Sequence, residues 1–180
     1  MTVEDVPASS EIVTVFDEAL RGNRTVPPGV LMSLLLDLLE SNLRQWRLED
    51  VSRERDASDA SVAAAKRSID VLNLARHRLV QDIDAAVVAA IPTVPTAPLA
   101  TESPGMAFDR LSVMVIRLHR TEAAAASDSI DAGTFASRLP GLRRQLAALC
   151  SAIDTLLEEL GAGRRRFVLY QHLKLYAVEA

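Results

Sequence analysis

Aromatic side chains make up only 4% of this chain, and it has a single cysteine. With so few rings, the core has to be filled by Leu, Ala, Val and Ile, which line helix stripes well, so composition favours helices over a sandwich. One cysteine excludes an intramolecular disulfide. Cys150 falls on an apolar helical stripe, which is the pattern of a buried thiol in a reducing compartment rather than of a reactive one. Long apolar runs are also missing. The richest, Val30 to Leu39, is broken by Ser33 and Asp37 and is shorter than the roughly 20 residues that cross a bilayer, so no transmembrane segment is expected. The opening Met1-Thr2-Val3-Glu4-Asp5 is acidic and leads into no apolar stretch, so it lacks both parts of a secretory signal and a cytoplasmic location is expected.

What is present is enough for one core. A chain of 180 residues, 49% of them apolar, suits a single helical domain over residues 1–180, with residues 1–9 expected to be flexible and 92–102 a proline-rich loop between helices. The net charge is −4 and the basic residues are scattered apart from Arg164, Arg165 and Arg166, so no nucleic-acid partner is expected.

Local signals divide the chain into a short helix and four long ones. The first runs from about Ser10 to Arg21, with a serine cap before Glu11 and Gly22 ending it. After the connector Thr25-Val-Pro-Pro-Gly29, a second helix reaches about Arg53, and a third spans about Ser58 to Ile91 with apolar or small residues at Val62, Ala65, Ile69, Leu72, Leu79, Ile83 and Ala86. Pro92, Pro95 and Pro98 then enforce an extended hinge. Ser103 and Pro104 start a fourth helix that runs to about Ala126, because proline loses nothing at a first helical position. A fifth carries Leu139, Leu142, Leu146, Leu149, Ile153, Leu156, Leu157 and Leu160 on one face, and Gly161 ends it. The tail from Arg164 to Tyr176 reads as irregular. Short turns after Arg53 and Ala126 fold neighbours back, which predicts an all-α antiparallel bundle of four main helices plus a short N-terminal helix. Leu31, Met32, Leu34, Leu35, Leu36, Leu38, Leu39 and Leu43 cover more than half of the second helix's circumference. Either that helix is central or its surplus face forms a homodimer.

Polar residues interrupt three of these stripes. Asn42, Trp46, Glu49 and Arg53 continue the face of Leu35, Leu38 and Leu39; Lys66, Asn73 and Arg76 share that of Val62, Ile69, Val80 and Ile83; Ser112, His119 and Glu122 lie among Phe108, Leu111, Val115 and Leu118. Polar groups facing a core cost several kcal/mol unless paired, so these three helices imply either an internal hydrogen-bonded network or a wet cleft. The cleft reading takes an anionic or sugar-containing small molecule, gripped by Arg, Lys and Asn with Trp46 as a stacking face. Glu49, Asn73, Arg76 and His119 are expected to converge. His119-x-x-Glu122 puts an imidazole and a carboxylate on one face, but a di-iron bundle needs two Glu-x-x-His pairs and further carboxylates, so no metal is expected. Neither a phosphate loop nor a nucleophile elbow is present, and cofactor and reaction stay open.

Four stretches carry a resemblance: Asn42-Leu-Arg-Gln-Trp46-Arg47-Leu48-Glu49-Asp50, Lys66-Arg67-Ser-Ile-Asp70-Val-Leu-Asn73, Ser103-Pro-Gly105-Met-Ala-Phe-Asp109-Arg110-Leu111-Ser112, and the basic-aromatic ending Tyr170-Gln-His-Leu-Lys174-Leu-Tyr176. The chain resembles a bacterial family of unknown function, DUF4254, over most of its length after about residue 35. Arg47 stands where the family motif has His. The resemblance implies a helical fold and a tie to cell-envelope glycan synthesis, with no established activity. It adds Asp50, Asp109, Arg110, Lys174 and Tyr176 to Asn42, Trp46, Glu49, Arg53, Lys66, Asn73, Arg76, Ser112 and His119 as candidate ligand-binding residues. The leading expectation is therefore a ligand-binding or accessory bundle in glycan synthesis. The alternatives are an enzyme acting on a phosphorylated or nucleotide-linked sugar, and a structural interaction protein whose polar network only fixes helix register.

Overall fold

Ser58 and Ser103 each accept a backbone N–H three residues on, from Ser61 and Met106, and so satisfy first-turn amides at the heads of two long helices. In the computed structural model, which describes residues 6–23, 25, 29–54, 56–169 and 171, five helices follow in order. They are α1 (Ser9–Leu20), α2 (Val30–Ser52), α3 (Asp59–Ala90), α4 (Pro104–Ala125) and α5 (Ala132–Gly161). The protein is all-α. Among the described residues the one β-type contact is an isolated bridge between Leu99 of the proline-rich loop and Arg166 of the tail. No helix among the described residues is long and apolar enough to cross a membrane.

Two helix ends differ from the sequence reading. α1 has Ala8, not a serine, at its cap position, with no side-chain cap bond. Instead Asp154 of α5 accepts both the backbone N–H of Ser9 (2.9 Å) and its hydroxyl (2.8 Å), so a carboxylate from another helix satisfies this end. Of the leading residues expected to be flexible, 1–5 lie outside the described residues, while Ser9 is buried. At the other end of the chain, Gly161 is still helical and the reversal comes at Gly163, whose φ of +68° only glycine adopts readily. Gly163 N–H bonds Leu160 C=O and Arg164 N–H bonds Glu159 C=O, the paired bonds of a Schellman ending. Pro140 sits inside α5 at an exposed position that the sequence reading did not flag.

The polar pairs set the helix directions. Asn42 meets Asp109 and Asp50 meets Arg120, so α2 and α4 run parallel. Arg76 with Asp109 and Asp84 with Gly105 make α3 antiparallel to α4, and the short turn between Ala125 and Ala132, with Glu122 meeting Arg143, folds α5 back antiparallel to it as well. α4 is the central element and packs against all four other helices. α1 contacts α2, α4 and α5, filling the space over α4 between the other two. The wide apolar face of α2 is absorbed within the chain: Leu31, Met32, Leu35, Leu36, Leu38 and Leu39 are all buried, and Leu34 and Leu43 pack on the same core. Packing against α1, α3 and α4 covers that width, although the central helix is α4 and not α2.

Candidate functional site

Asn42 lies one turn beyond the last core leucines of α2, where the stripe turns polar. Its amide donates to Asp109 Oδ1 at 2.9 Å and to Ser112 Oγ at 2.7 Å, and the Ser112 hydroxyl donates to the Asp109 carbonyl at 2.8 Å. The other Asp109 oxygen takes a salt bridge from Arg76 of α3 at 3.0 Å. Arg76 also donates to Gln45 Oε1 at 3.4 Å, and the Gln45 amide donates to Asn73. The result is one network over three helices, dry at its α2–α4 end: Ser112 is fully buried and the Asp109 side chain is 12% exposed. Asn42 Oδ1 is buried with no partner among the described residues.

Arg76 is where this network meets solvent. Its side chain is 30% exposed and lines a groove of about 780 Å³ between α3 and α5, floored by α4. Arg110, Arg117, Glu102 and Gln145 share the lining, with Val113, Met114 and Leu149 as its apolar part. Arg110 is neutralised by Glu102 at 2.6 Å, whereas the Arg117 guanidinium has no ionic or hydrogen-bond partner among the described residues. A groove of this size with a few polar groups converging over an apolar floor has the make-up of a small-molecule site.

The other sequence candidates are dispersed. Glu49 pairs with Arg53 along its own helix at 3.0 Å, and Asp50 pairs with Arg120 at 3.0 Å. Trp46 is half-buried against the core, and Lys66 is exposed on α3. His119 lines a different hollow of about 390 Å³, beside α1 residues Thr14, Asp17 and Arg21. Glu122 lines that hollow too but its carboxylate goes to Arg143 at 2.8 Å. So the expected convergence holds for Asn73 and Arg76, both on Gln45, and fails for Glu49 and His119. The reason is axial: Arg76 meets α4 at Asp109, and His119 stands ten residues further along, about 15 Å at helical rise. Lys174 and Tyr176 lie outside the described residues. Among the described residues no three His, Cys, Asp or Glu side chains gather as metal ligands.

Three features escaped the sequence reading. Gln45 is three residues after Asn42 and so shares its face, a spacing that would have found it. Arg117 and Gln145 needed the α4–α5 pairing to be known. Asp84, fully buried on α3, accepts the Gly105 N–H at 2.7 Å and so binds the α4 N-terminus where a negative charge is favoured.

Cys150 is half-buried rather than buried. Burial raises its thiol pKa most, with the Asp154 charge adding to the rise and a hydrogen bond with Ser9 opposing it.

No curated protein and no solved structure matches the chain. The family described as "Protein of unknown function (DUF4254)" matches residues 32–169, which include the network, the groove and the four long helices but for the first two residues of α2, and the chain belongs to that family.

Proposed function

We propose that this protein is a helical ligand-binding module that takes an anionic, hydroxyl-bearing small molecule in the groove over α4, between α3 and α5. The observation that carries this is Arg76. Nη2 of its guanidinium goes to Asp109 and Nη1 makes a longer bond to Gln45, yet the side chain stays part-exposed and lines the groove beside Arg110 and Arg117, whose guanidinium has no partner among the described residues. A guanidinium held by a carboxylate and an amide is pre-oriented, so little side-chain entropy is lost when its remaining N–H groups take a phosphate. Gln145 and Glu102 supply hydrogen-bonding groups for hydroxyls, and Val113 and Met114 offer an apolar floor.

A phosphorylated or nucleotide-linked sugar fits that chemistry and agrees with the tie to glycan synthesis that the family resemblance implies. The test is a thermal-shift screen with sugar phosphates and nucleotide sugars. A ligand at a hundred times its dissociation constant should stabilise the protein by about 2.7 kcal/mol. Arg117→Gln, which removes no internal contact, should weaken that ligand at least tenfold at unchanged unliganded stability. Equal affinity in the variant would overturn the assignment of the groove.

A further inference from the structure

On the side of α2 turned away from Asn42 and Gln45, Arg44 and Arg47 stand one turn apart, and Arg67 faces them from α3. None of the three has an ion-pair or hydrogen-bond partner among the described residues. The arginines Arg53 and Arg76 of the same two helices, and Arg120 packed against α2, each pair with a carboxylate, whereas these three do not, and they gather on a chain of net charge −4. Three like charges held together repel, and an anion placed among them would relieve that repulsion.

The same three side chains border a hollow of about 680 Å³ whose floor is apolar, with Leu48 from α2 and Ala64, Val71 and Leu72 from α3. Val71 is 69% exposed, although it points into a helix–helix groove where a partner atom could cover it. Across the Arg44–Arg47 ridge, a second hollow of about 180 Å³ shares both arginines and continues the apolar lining with Leu20, Leu39 and Leu43, with Glu40 as its one acidic residue. The sequence hides this arrangement because the cations are scattered along two helices and meet only when α2 and α3 fold against one another.

We propose that this outer face of the α2–α3 hairpin binds an anionic amphiphile: a phosphate head held by Arg44, Arg47 and Arg67, with a hydrocarbon chain laid on Val71 and Leu48. The guanidinium forks match phosphate oxygens two at a time, and the adjoining leucine-lined hollow takes the rest of the chain. Three cations around a hollow of small-molecule size suit one compact head rather than the repeated charges of a nucleic acid. The site is separate from the groove lined by Arg76 and does not depend on it.

The experiment is calorimetric titration of the full chain with dodecyl phosphate below its micelle concentration, beside dodecyl maltoside and inorganic phosphate. Dodecyl phosphate should bind at least tenfold more tightly than either control. The exposed double variant Arg47→Gln/Arg67→Gln, with folding checked by circular dichroism, should lose at least tenfold in affinity. Val71→Ser, which keeps every charge, should weaken the same probe, and Arg117→Gln should leave it unchanged. Equal binding of the maltoside would reduce the site to an apolar groove, and equal binding of inorganic phosphate would remove the chain from the proposal; either overturns it. Binding to phosphatidate vesicles without binding of monomeric dodecyl phosphate would also overturn it, in favour of adsorption to a charged lipid surface. Loss through Arg117→Gln alone would return the ligand to the groove over α4.

Discussion

Arg76 belongs to two structures at once, since the guanidinium that closes the network on Asp109 is the one that lines the groove. Its replacement by Met should therefore fail in two assays. Asp109 would keep the Asn42 amide but lose its counter-charge, and the pair is only partly dry, so urea denaturation should report a loss of about 1–3 kcal/mol. An unchanged midpoint would mean that Asn42 and solvent satisfy Asp109 without help. Cys150 supplies a pH prediction. Its folded-state pKa is raised, chiefly by burial, so folding favours the neutral thiol. That contribution is complete below the ordinary thiol range and is lost as pH rises through the folded value. Stability measured from neutral to alkaline pH should fall on that account, and Cys150→Ala should remove that part of the alkaline slope while leaving others in place.

Between elements, the closest approach described at a glycine is at Gly105 in the first turn of α4. A methyl group there would sit 2.5 Å from the Val80 carbonyl and 2.8 Å from Asp84 Oδ1, one of them backbone and neither free to move away. Gly105→Ala should push α3 and α4 apart and disturb the Asp84 bond, costing about 1–3 kcal/mol by analogy with overpacked cores. A neutral result in thermal denaturation would mean that the two helices can slide without loss. This contact also marks where reading the sequence stops. Ser58, Ser103 and Pro104 were legible because a cap acts within one turn of chain. Asp84 and Asp154 were not, because each serves the start of a helix far away in sequence, and nothing local distinguishes such a carboxylate from a solvated one. The polar stripe residues were legible as a class, since Asn42, Asn73, Arg76, Asp109 and Ser112 do enter one network. Their expected companions Glu49 and His119 share a helical face with members of it but not a level along the axis, which periodicity does not encode.

The same blindness to axial position governs the whole molecule. Burial is concentrated at one end: Leu31 to Asn42 in α2, Val80 to Ala90 in α3, Pro104 to Ile116 in α4 and Ile153 to Leu160 in α5, with Ala65 the one buried side chain in these helices beyond those stretches. Because α2 and α4 run one way and α3 and α5 the other, these stretches share an end. The opposite end keeps equally regular stripes, with Val62, Ile69 and Leu72 on α3 and Leu139, Leu142 and Leu146 on α5, yet each of these is only half-buried. A bundle built this way should not open uniformly, since local opening costs least where few apolar contacts are broken. Native-state hydrogen exchange should therefore be slowest in the buried stretches and at least tenfold faster in residues 59–79 and 132–150, despite unbroken helical hydrogen bonding through most of both. Uniform protection along α3 and α5 in dilute protein would refute the one-ended core. Protection that is uniform only at high protein concentration would have a different meaning: a second copy covering the half-buried stripes. Protection that rises over 59–79 on adding dodecyl phosphate, and not over 132–150, would place that ligand on the α2–α3 hairpin.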